Sequence, residues 1–196
     1  MANTKETIWS LYAALQPNDA ARGLIPLADN DPARAAYGYS VFGMTPAATA
    51  TDVLTLSGSA TKIVRVRQVV ISGIATSAGN IPIAIHRRTA ANTGGTSTTP
   101  TPAQRDSTDD AATAVLRQYS ANPTGLGTSL GPIDGGRLAI PTATSGALDR
   151  FVAQYSWLNE KGPVLRSATD FFAINLNGAT LPTGLALDIG IWWTEE

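Results

Sequence analysis

From about residue 50 onward, the chain alternates apolar and polar side chains in short runs that are rich in β-branched residues. The strongest run covers residues 62–72 and reads K-I-V-R-V-R-Q-V-V-I-S. Strict alternation gives this predicted strand one face with Val64, Val66, Gln68 and Val70, and an opposite face with Ile63, Arg65, Arg67, Val69 and Ile71. Because residues 69–71 are all apolar, we expect both faces to be covered there. The chain's own core would cover one face, and its N-terminal part or a sister subunit the other.

Comparable runs follow, each bounded by Gly, Pro or Asn, at residues 52–57, 81–86, 114–119, 137–141, 151–157, 163–166, 172–176 and 185–194. The predicted turns between them include Gly79-Asn80, Asp134-Gly135-Gly136 and Asn177-Gly178, of which the last is the strongest hairpin signal. Residues 89–102 are rich in Thr, Gly and Pro and predict an exposed loop. About eight short strands without intervening helices predict an all-β, jelly-roll-like β-sandwich over residues 51–196.

Residues 1–50 have a different character and predict an extended, partly irregular N-terminal arm. Ile8, Leu11, Tyr12 and Leu15 have helical spacing, so the arm contains a candidate short amphipathic helix. Pro and Gly then interrupt the chain up to Pro46, and residues 37–42 are the one strand expected in this part.

The composition indicates a weakly charged surface. Charged residues make up 15% of the chain, against about 25% in an average soluble domain, and the formal net charge is -1. We therefore expect no nucleic-acid or membrane partner. No signal-peptide pattern and no apolar stretch of the roughly 20 residues needed to span a bilayer is present. The chain contains no cysteine, which excludes disulfides, thiolate metal sites and cysteine nucleophiles.

One pattern resembles a catalytic motif, Gly127-Thr128-Ser129-Leu130-Gly131, which matches G-x-S-x-G. That motif requires a strand before the serine, a helix after it and a later histidine, whereas Pro132 follows here and the single histidine, His86, precedes it. We interpret the segment as a turn, and we expect no enzyme activity and no cofactor.

Two acidic sets are candidate Ca²⁺ ligands, and one glycine pair is a candidate phosphate loop. Asp106, Asp109 and Asp110, and separately Asp29 and Asp31, lack the spacing of a calcium loop. Gly94-Gly95 lacks the lysine and helix of a phosphate loop. The sequence therefore predicts no metal and no phosphate site.

The candidate contact residues are aromatic, aliphatic and basic. Alternation that turns Trp193 inward turns Trp192 outward, and an outward Trp is typical of an interface. We therefore predict a contact surface made by Trp192, Val69, Val70, Ile71, Arg65 and Arg67, with Trp9 and Tyr12 of the arm. A second candidate feature is a basic patch on adjacent strands, formed by Arg65, Arg67, Arg87 and Arg88.

Several segments of the chain resemble a group of small structural proteins found in the virions of tailed bacteriophages and prophages. These segments are T-K-I-V-R-V-R, I-H-R-R-T-A-A-N-T-G-G-T-S-T, A-A-T-A-V-L-R-Q-Y-S-A-N-P-T-G-L-G-T and the terminal I-W-W-T-E-E. The likeness covers about residues 50 to 196. It implies a β-sandwich component of the particle without an enzymatic site, and it transfers no catalytic residue to this chain.

From this resemblance we expect a capsid decoration or cement protein that forms a homotrimer. Its expected partners are further copies of itself and the major capsid protein or another virion protein, and its expected location is the virion, assembled in the host cytoplasm. A tail, collar or fibre-base component is the alternative within the same class. A carbohydrate-binding module that uses Trp157 or Trp192 is the alternative from another class.

Overall fold

The computed structural model describes residues 34–155 and 162–196. Its twelve strands form two antiparallel sheets that pack face to face, and this confirms the predicted all-β sandwich. The strands are β1 Ala35–Met44, β2 Asp52–Ser57, β3 Val64–Ile74, β4 Gly79–Arg88, β5 Thr96–Thr98, β6 Ala103–Gln104, β7 Leu116–Ala121, β8 Ser129–Ile140, β9 Arg150–Gln154, β10 Val164–Leu165, β11 Phe171–Asn175 and β12 Ala186–Glu195.

The two sheets share no strand. Sheet A has the order β10-β3-β12-β1-β6, and β9 also pairs with β3, on the edge that faces away from β12. Sheet B has the order β5-β7-β2-β11-β4-β8. The core lies between the sheets, where the inward side chains of both meet.

The C-terminal strand β12 shows the predicted alternation. Leu187, Ile189, Ile191 and Trp193 are each at most 1% exposed, and the residues between them point outward. Trp193 stacks on Tyr37 of β1 with ring centroids 5.9 Å apart. Because such aromatic pairs add stability beyond the area they bury, this pair fixes β1 on β12 at the centre of sheet A.

A β-bulge in β3 changes the face assignment predicted for this strand. Trp193 pairs with Val66 and Trp192 pairs with Gln68, so Arg67 is an extra residue in the ladder. After the bulge the alternation changes phase, and Val69 and Ile71 join Val66 in the core while Val70 points outward. The apolar run at residues 69–71 therefore combines two inward residues with one outward residue. The prediction that Val64, Val66 and Val70 share a face was wrong.

The sandwich also includes part of the predicted arm. β1 pairs with β12 from Ala35 to Met44 and is thus a full strand of sheet A, so the boundary predicted at residue 50 lies too late. The strand predicted at residues 37–42 is confirmed within β1. The helix predicted near Ile8 to Leu15 falls outside the described residues.

Two predicted turns have a different role in the structure. Asn177 and Gly178 have φ of 58° and 63°, as in a tight turn, but the strands on either side belong to different sheets, so the turn joins the sheets and forms no hairpin. Asp134 to Gly136 lie inside β8 and pair with β4. Strand β8 lies at the edge of sheet B, where glycine costs less than in a sheet centre.

Candidate interaction surface

The outer faces of the two sheets differ in what covers them. On sheet B, the outward residues Thr55, Ala84 and Ala173 are 3%, 8% and 0% exposed. Loops that follow β4 and β7 are fixed next to this face by a buried polar cluster. On sheet A, the outward residues are half-buried or exposed, except Gly190, which the Trp192 indole covers.

The buried polar cluster on sheet B is centred on Asp52 and Arg88, which are 1% and 3% exposed. The Arg88 guanidinium donates from Nε and Nη2 to the two Asp52 oxygens at 2.8 and 2.7 Å, and from Nη1 to the Gly127 carbonyl at 2.9 Å. Asn92 and Asn175 donate to the same carboxylate at 2.8 and 2.6 Å. Because every partner is satisfied, the cluster orders the loops and offers no free group for chemistry. Nothing in the sequence pattern indicated this cluster.

On sheet A the register places outward residues in three rows across β1, β12, β3 and β9, and we call this surface the Trp192 face. The first row is Gly38, Trp192, Gln68 and Gln154. The second is Ser40, Gly190, Val70 and Val152. The third is Asp188, Ser72 and Arg150. Within these three rows only Asp188 and Arg150 carry charge, and the next row toward the start of β3 holds Arg65, which pairs with Glu196.

The indole of Trp192 lies flat on the Trp192 face. A Cβ added at Gly190 would come within 2.5 Å of Cη2 of the indole, and one added at Gly38 within 2.8 Å of Cδ1. The ring therefore covers one glycine on its own strand and one on the neighbouring strand. The absence of a side chain at these two positions leaves room for the indole to lie flat. Glycine in a strand interior costs about 0.5–1 kcal/mol of stability, so this arrangement weakens the two strands.

Large apolar side chains are exposed on and around this face. Val152 and Ile74 are both 41% exposed, and Phe42, next to the bulge of β1, is 80% exposed. Val70 and Val152 are neighbours in the second row, beside Trp192 in the first row, whereas Ile74 lies beyond the row of Asp188 and Arg150 and Phe42 lies at the bulge of β1. Clustered exposed apolar residues mark interaction sites, whereas scattered ones are normal.

The predicted contact residues separate into distinct environments. Trp192 and Val70 lie on the Trp192 face, whereas Val69 and Ile71 are 0% exposed inside the chain's own core. The side chains of Val69 and Ile71 therefore cannot contribute to an outer contact. Trp9, Tyr12 and Trp157 fall outside the described residues.

The predicted basic patch does not form. Arg65 and Arg67 lie on β3 of sheet A, and Arg87 and Arg88 on β4 of sheet B. Arg65 donates from Nε to Glu196 at 2.6 Å, Arg87 pairs with Asp170 at 3.1 Å, and Arg67 also has an interaction partner. The sequence could not show this separation because the assignment of β3 and β4 to different sheets is a property of topology.

Ser129 of the G-x-S-x-G segment lies 2.9 Å from Nδ1 of His86. The Ser129 hydroxyl accepts from the Gly131 N–H at 3.0 Å. Burial, followed by the charge of Arg88, lowers the pKa of His86 below its ordinary value, and the charge of Asp52 acts in the opposite direction. The motif context is missing, since Ser129 begins edge strand β8 and no helix follows it. Within the part of the chain that the structure describes, His86 hydrogen-bonds to Ser129 and to no carboxylate that could orient the ring, so we interpret the pair as a cross-strand contact.

The acidic residues of the loop after β6 act as acceptors for nearby groups. Asp106 accepts from the amide and hydroxyl of Thr108, which lowers the pKa of that carboxyl, and Asp109 accepts from the Ala36 N–H at 3.1 Å. In the described ranges, no three His, Cys, Asp or Glu side chains are placed to hold a metal ion. Asp29 and Asp31 lie outside those ranges.

A cleft of about 510 Å³ opens between the sheets beside β8 and β9. Its lining includes Arg87, Asp134, Tyr155, Arg166 and Asp170. The Arg87–Asp170 pair neutralises two of these charges. Burial, and secondarily the charge of Asp134 and a hydrogen bond to it, raises the pKa of Tyr155.

Comparison of the chain with protein-family models, with curated proteins and with solved structures found no match. Among the residues described, no helix is long and apolar enough to cross a membrane.

Proposed function

We propose that this chain is a structural protein of a bacteriophage virion that decorates or cements the capsid, with the Trp192 face as an assembly contact. Under this proposal it acts as a homo-oligomer, for which a trimer is the expected copy number, and it has no catalytic role. Its partners are further copies of the chain and the major capsid protein or another virion protein. It is located in the virion and assembles in the host cytoplasm.

The observation that carries this proposal is the set of large apolar side chains on the outer side and rim of sheet A, which are Trp192, Val70, Val152, Ile74 and Phe42. Val152 and Ile74 keep 41% and Phe42 80% of their area exposed. Burial of apolar area contributes roughly 25 cal/mol per Å², so a partner that covers these side chains gains free energy without a large desolvation cost from charged groups. A flat indole adds area that a partner can cover with little loss of conformational entropy.

The resemblance in the sequence supports a particle protein over other assembling proteins. The weak charge of the chain also fits, because a surface with few charges repels its neighbours little when many copies are packed together.

Two valines of nearly equal exposure permit a matched test of this proposal. Val152 on the Trp192 face is 41% exposed, and Val115, away from that face, is 43% exposed. We expect Val152→Asp to prevent incorporation of the chain into particles and to lower the temperature at which they disrupt, because a partner would bury the new carboxylate. Val115→Asp should leave incorporation and particle stability unchanged. Purified particles with each variant, compared by protein gel and by thermal release of DNA, provide the measurement.

Four results would contradict parts of the proposal. Equal incorporation of both variants would exclude the Trp192 face as the contact. Particles that are as heat-stable without the chain as with it would exclude a cementing role, and labelling confined to the tail, collar or fibre base would favour the alternative location. Binding on a glycan array that is lost in Trp192→Ala, with unchanged oligomeric state, would favour a carbohydrate-binding module.

A further inference from the structure

We propose that the Trp192 face binds the same face of a second copy around a two-fold axis that runs along β3. This inference rests on the proposed assembly role and specifies the partner of the face. Strand β3 lies between β12 and β9, so an axis along it exchanges the β12 side of one copy with the β9 side of the other. Facing sheets pack about 10 Å apart with strands within about 30° of each other, and such an axis satisfies this geometry.

The two charges of the face select this orientation. Asp188 on β12 and Arg150 on β9 occupy opposite ends of one row, both aligned with Ser72 of β3. The axis along β3 places Asp188 of each copy opposite Arg150 of the other and so creates two ion pairs. An axis perpendicular to the strands, through the Gly190 row, would place Asp188 opposite Trp192 and leave both charges without a partner. Because unpaired buried charges strongly disfavour a contact, the first orientation is preferred.

Side-chain size is complementary in the same orientation. In the second row, Val152 of one copy faces Gly190 of the other, so a protruding side chain meets a position without one. In the first row, the indole of Trp192 faces the amide of Gln154. Val70, Gln68 and Ser72 lie on β3 and therefore face their own counterparts near the axis.

The extent of the face indicates a weak contact between isolated copies. Four strands about 4.8 Å apart span roughly 15–20 Å, and three rows about 7 Å apart span a similar length along the strands. The face therefore offers roughly 200–400 Å² per copy, less than the ~800 Å² per partner that a standard stable interface buries. We therefore expect dimers whose population depends on protein concentration. A two-fold contact can coexist with the expected trimer only if it joins copies of different trimers.

Charge reversal provides a specific test with two variants of the full chain. Asp188→Arg places like charges opposite each other at both ion pairs of a homodimer, and so does Arg150→Asp. Each variant alone should dimerise about tenfold or more weakly than the wild type. A mixture of the two has opposite charges at both pairs, so we expect it to recover dimers in sedimentation velocity. If residues 188 and 150 do not face each other across the contact, mixing the two variants would not recover dimers.

Local structural effects of the variants are controlled within the same experiment. Asp188 Oδ1 also accepts from the Gly43 N–H at 2.8 Å, and Asp188→Asn retains an acceptor oxygen while it removes the charge. Recovery in the mixture cannot come from that hydrogen bond, because Arg150→Asp does not restore it. A mixture that stays as weak as the single variants, or a wild type that remains monomeric at every concentration, would overturn the inference.

A cross-link near the axis gives a second, independent readout. Because the chain has no cysteine, Val70→Cys introduces a single thiol that faces its own counterpart across the predicted axis. A short bismaleimide should join two Val70→Cys chains efficiently, and it should join Val115→Cys chains poorly. Equal yields for the two would contradict the axis. If the wild type fails to pair while Val152→Asp alone still blocks incorporation into particles, this inference fails and the proposed function stands.

Discussion

At the scale of single residues, Trp192 shows how distant positions determine one side-chain orientation. Its outward direction follows from the alternation of β12, so the sequence could predict it. Its flat orientation depends on Gly38, which precedes it by more than 150 residues and is brought next to it only by the pairing of β1 with β12. Local sequence cannot give that register, and the flat indole was therefore not predictable.

The contact between Trp192 and Gly190 leads to a prediction about coupled substitutions. We expect Gly190→Ala to destabilise the protein by about 1 kcal/mol, because the new Cβ forces the indole away from the sheet. In a Trp192→Ala background the same change should be neutral or slightly stabilising, since Ala is better than Gly in a strand. Urea unfolding of the four proteins as a double-mutant cycle measures the coupling. The same cost in both backgrounds would show that the indole does not occupy this position.

Two neighbouring glutamates should differ sharply in their contribution to stability. Glu195 is 2% exposed and accepts from Trp193 Nε1 at 3.1 Å, from the amides of Ala114 and Thr113 at 3.0 and 2.9 Å, and from the Thr113 hydroxyl at 2.6 Å. Glu195→Ala leaves these donors without an acceptor, so we expect a loss of about 3 kcal/mol or more. Glu196 makes surface ion pairs with Arg34 and Arg65, and Glu196→Ala should cost less than about 1 kcal/mol. Chemical unfolding at neutral pH distinguishes the two, and similar losses would contradict this interpretation.

His86 is predicted to make stability depend on pH in one direction. Burial and Arg88 lower the pKa of His86 in the folded state, so the unfolded chain binds the proton more tightly. Stability from this group is therefore fully present above the unfolded pKa of about 6.5 and is lost as pH falls below it. Because His86 is the single histidine, His86→Gln should flatten the fall in unfolding free energy between about pH 7 and pH 5. An unchanged slope in the variant would contradict the assignment.

At the scale of elements, the strands that could be predicted are those that alternate core side chains with outward ones. β2 and β12 were predicted almost residue for residue because core contacts fix which side chains point inward. The β3 bulge was missed, since an extra residue in a ladder leaves both halves of the alternation intact and only changes their phase. Strand β8 was predicted only from residue 137, because Asp134, Gly135 and Gly136 have the composition of a turn. An edge strand accommodates these glycines, and Asp134 accepts from the Gly135 N–H at 2.7 Å.

The bulge leads to a prediction about deletions in β3. Deletion of Arg67 removes the extra residue and leaves Val66, Val69 and Ile71 in register with the core, so we expect a modest loss of stability. Deletion of Val70 shifts the rest of the strand by one residue and turns Ile71 outward, which should cost about 2–5 kcal/mol. Thermal unfolding compares the two chains. Equal losses, or a larger loss without Arg67, would show that Arg67 is not the inserted residue.

At the scale of the whole molecule, the outer faces of the two sheets differ in what covers them. Sheet B is covered by the chain's own loops through the Asp52–Arg88 cluster, whereas sheet A presents Trp192, Val70 and Val152 outward. The sequence predicted the sandwich and the outward Trp192. It could not predict that loops cover the outer face of sheet B, because charged residues in strands, such as Asp52 and Arg88, are usually exposed.

We propose that another protein covers the Trp192 face in the assembled state. A cryo-electron microscopy map of intact particles that contain this chain would show what lies against this face. We expect the outer side of sheet A to pack against protein, with Val70, Val152 and Trp192 buried in the contact. A map in which the chain is present and this face is open to solvent would contradict it.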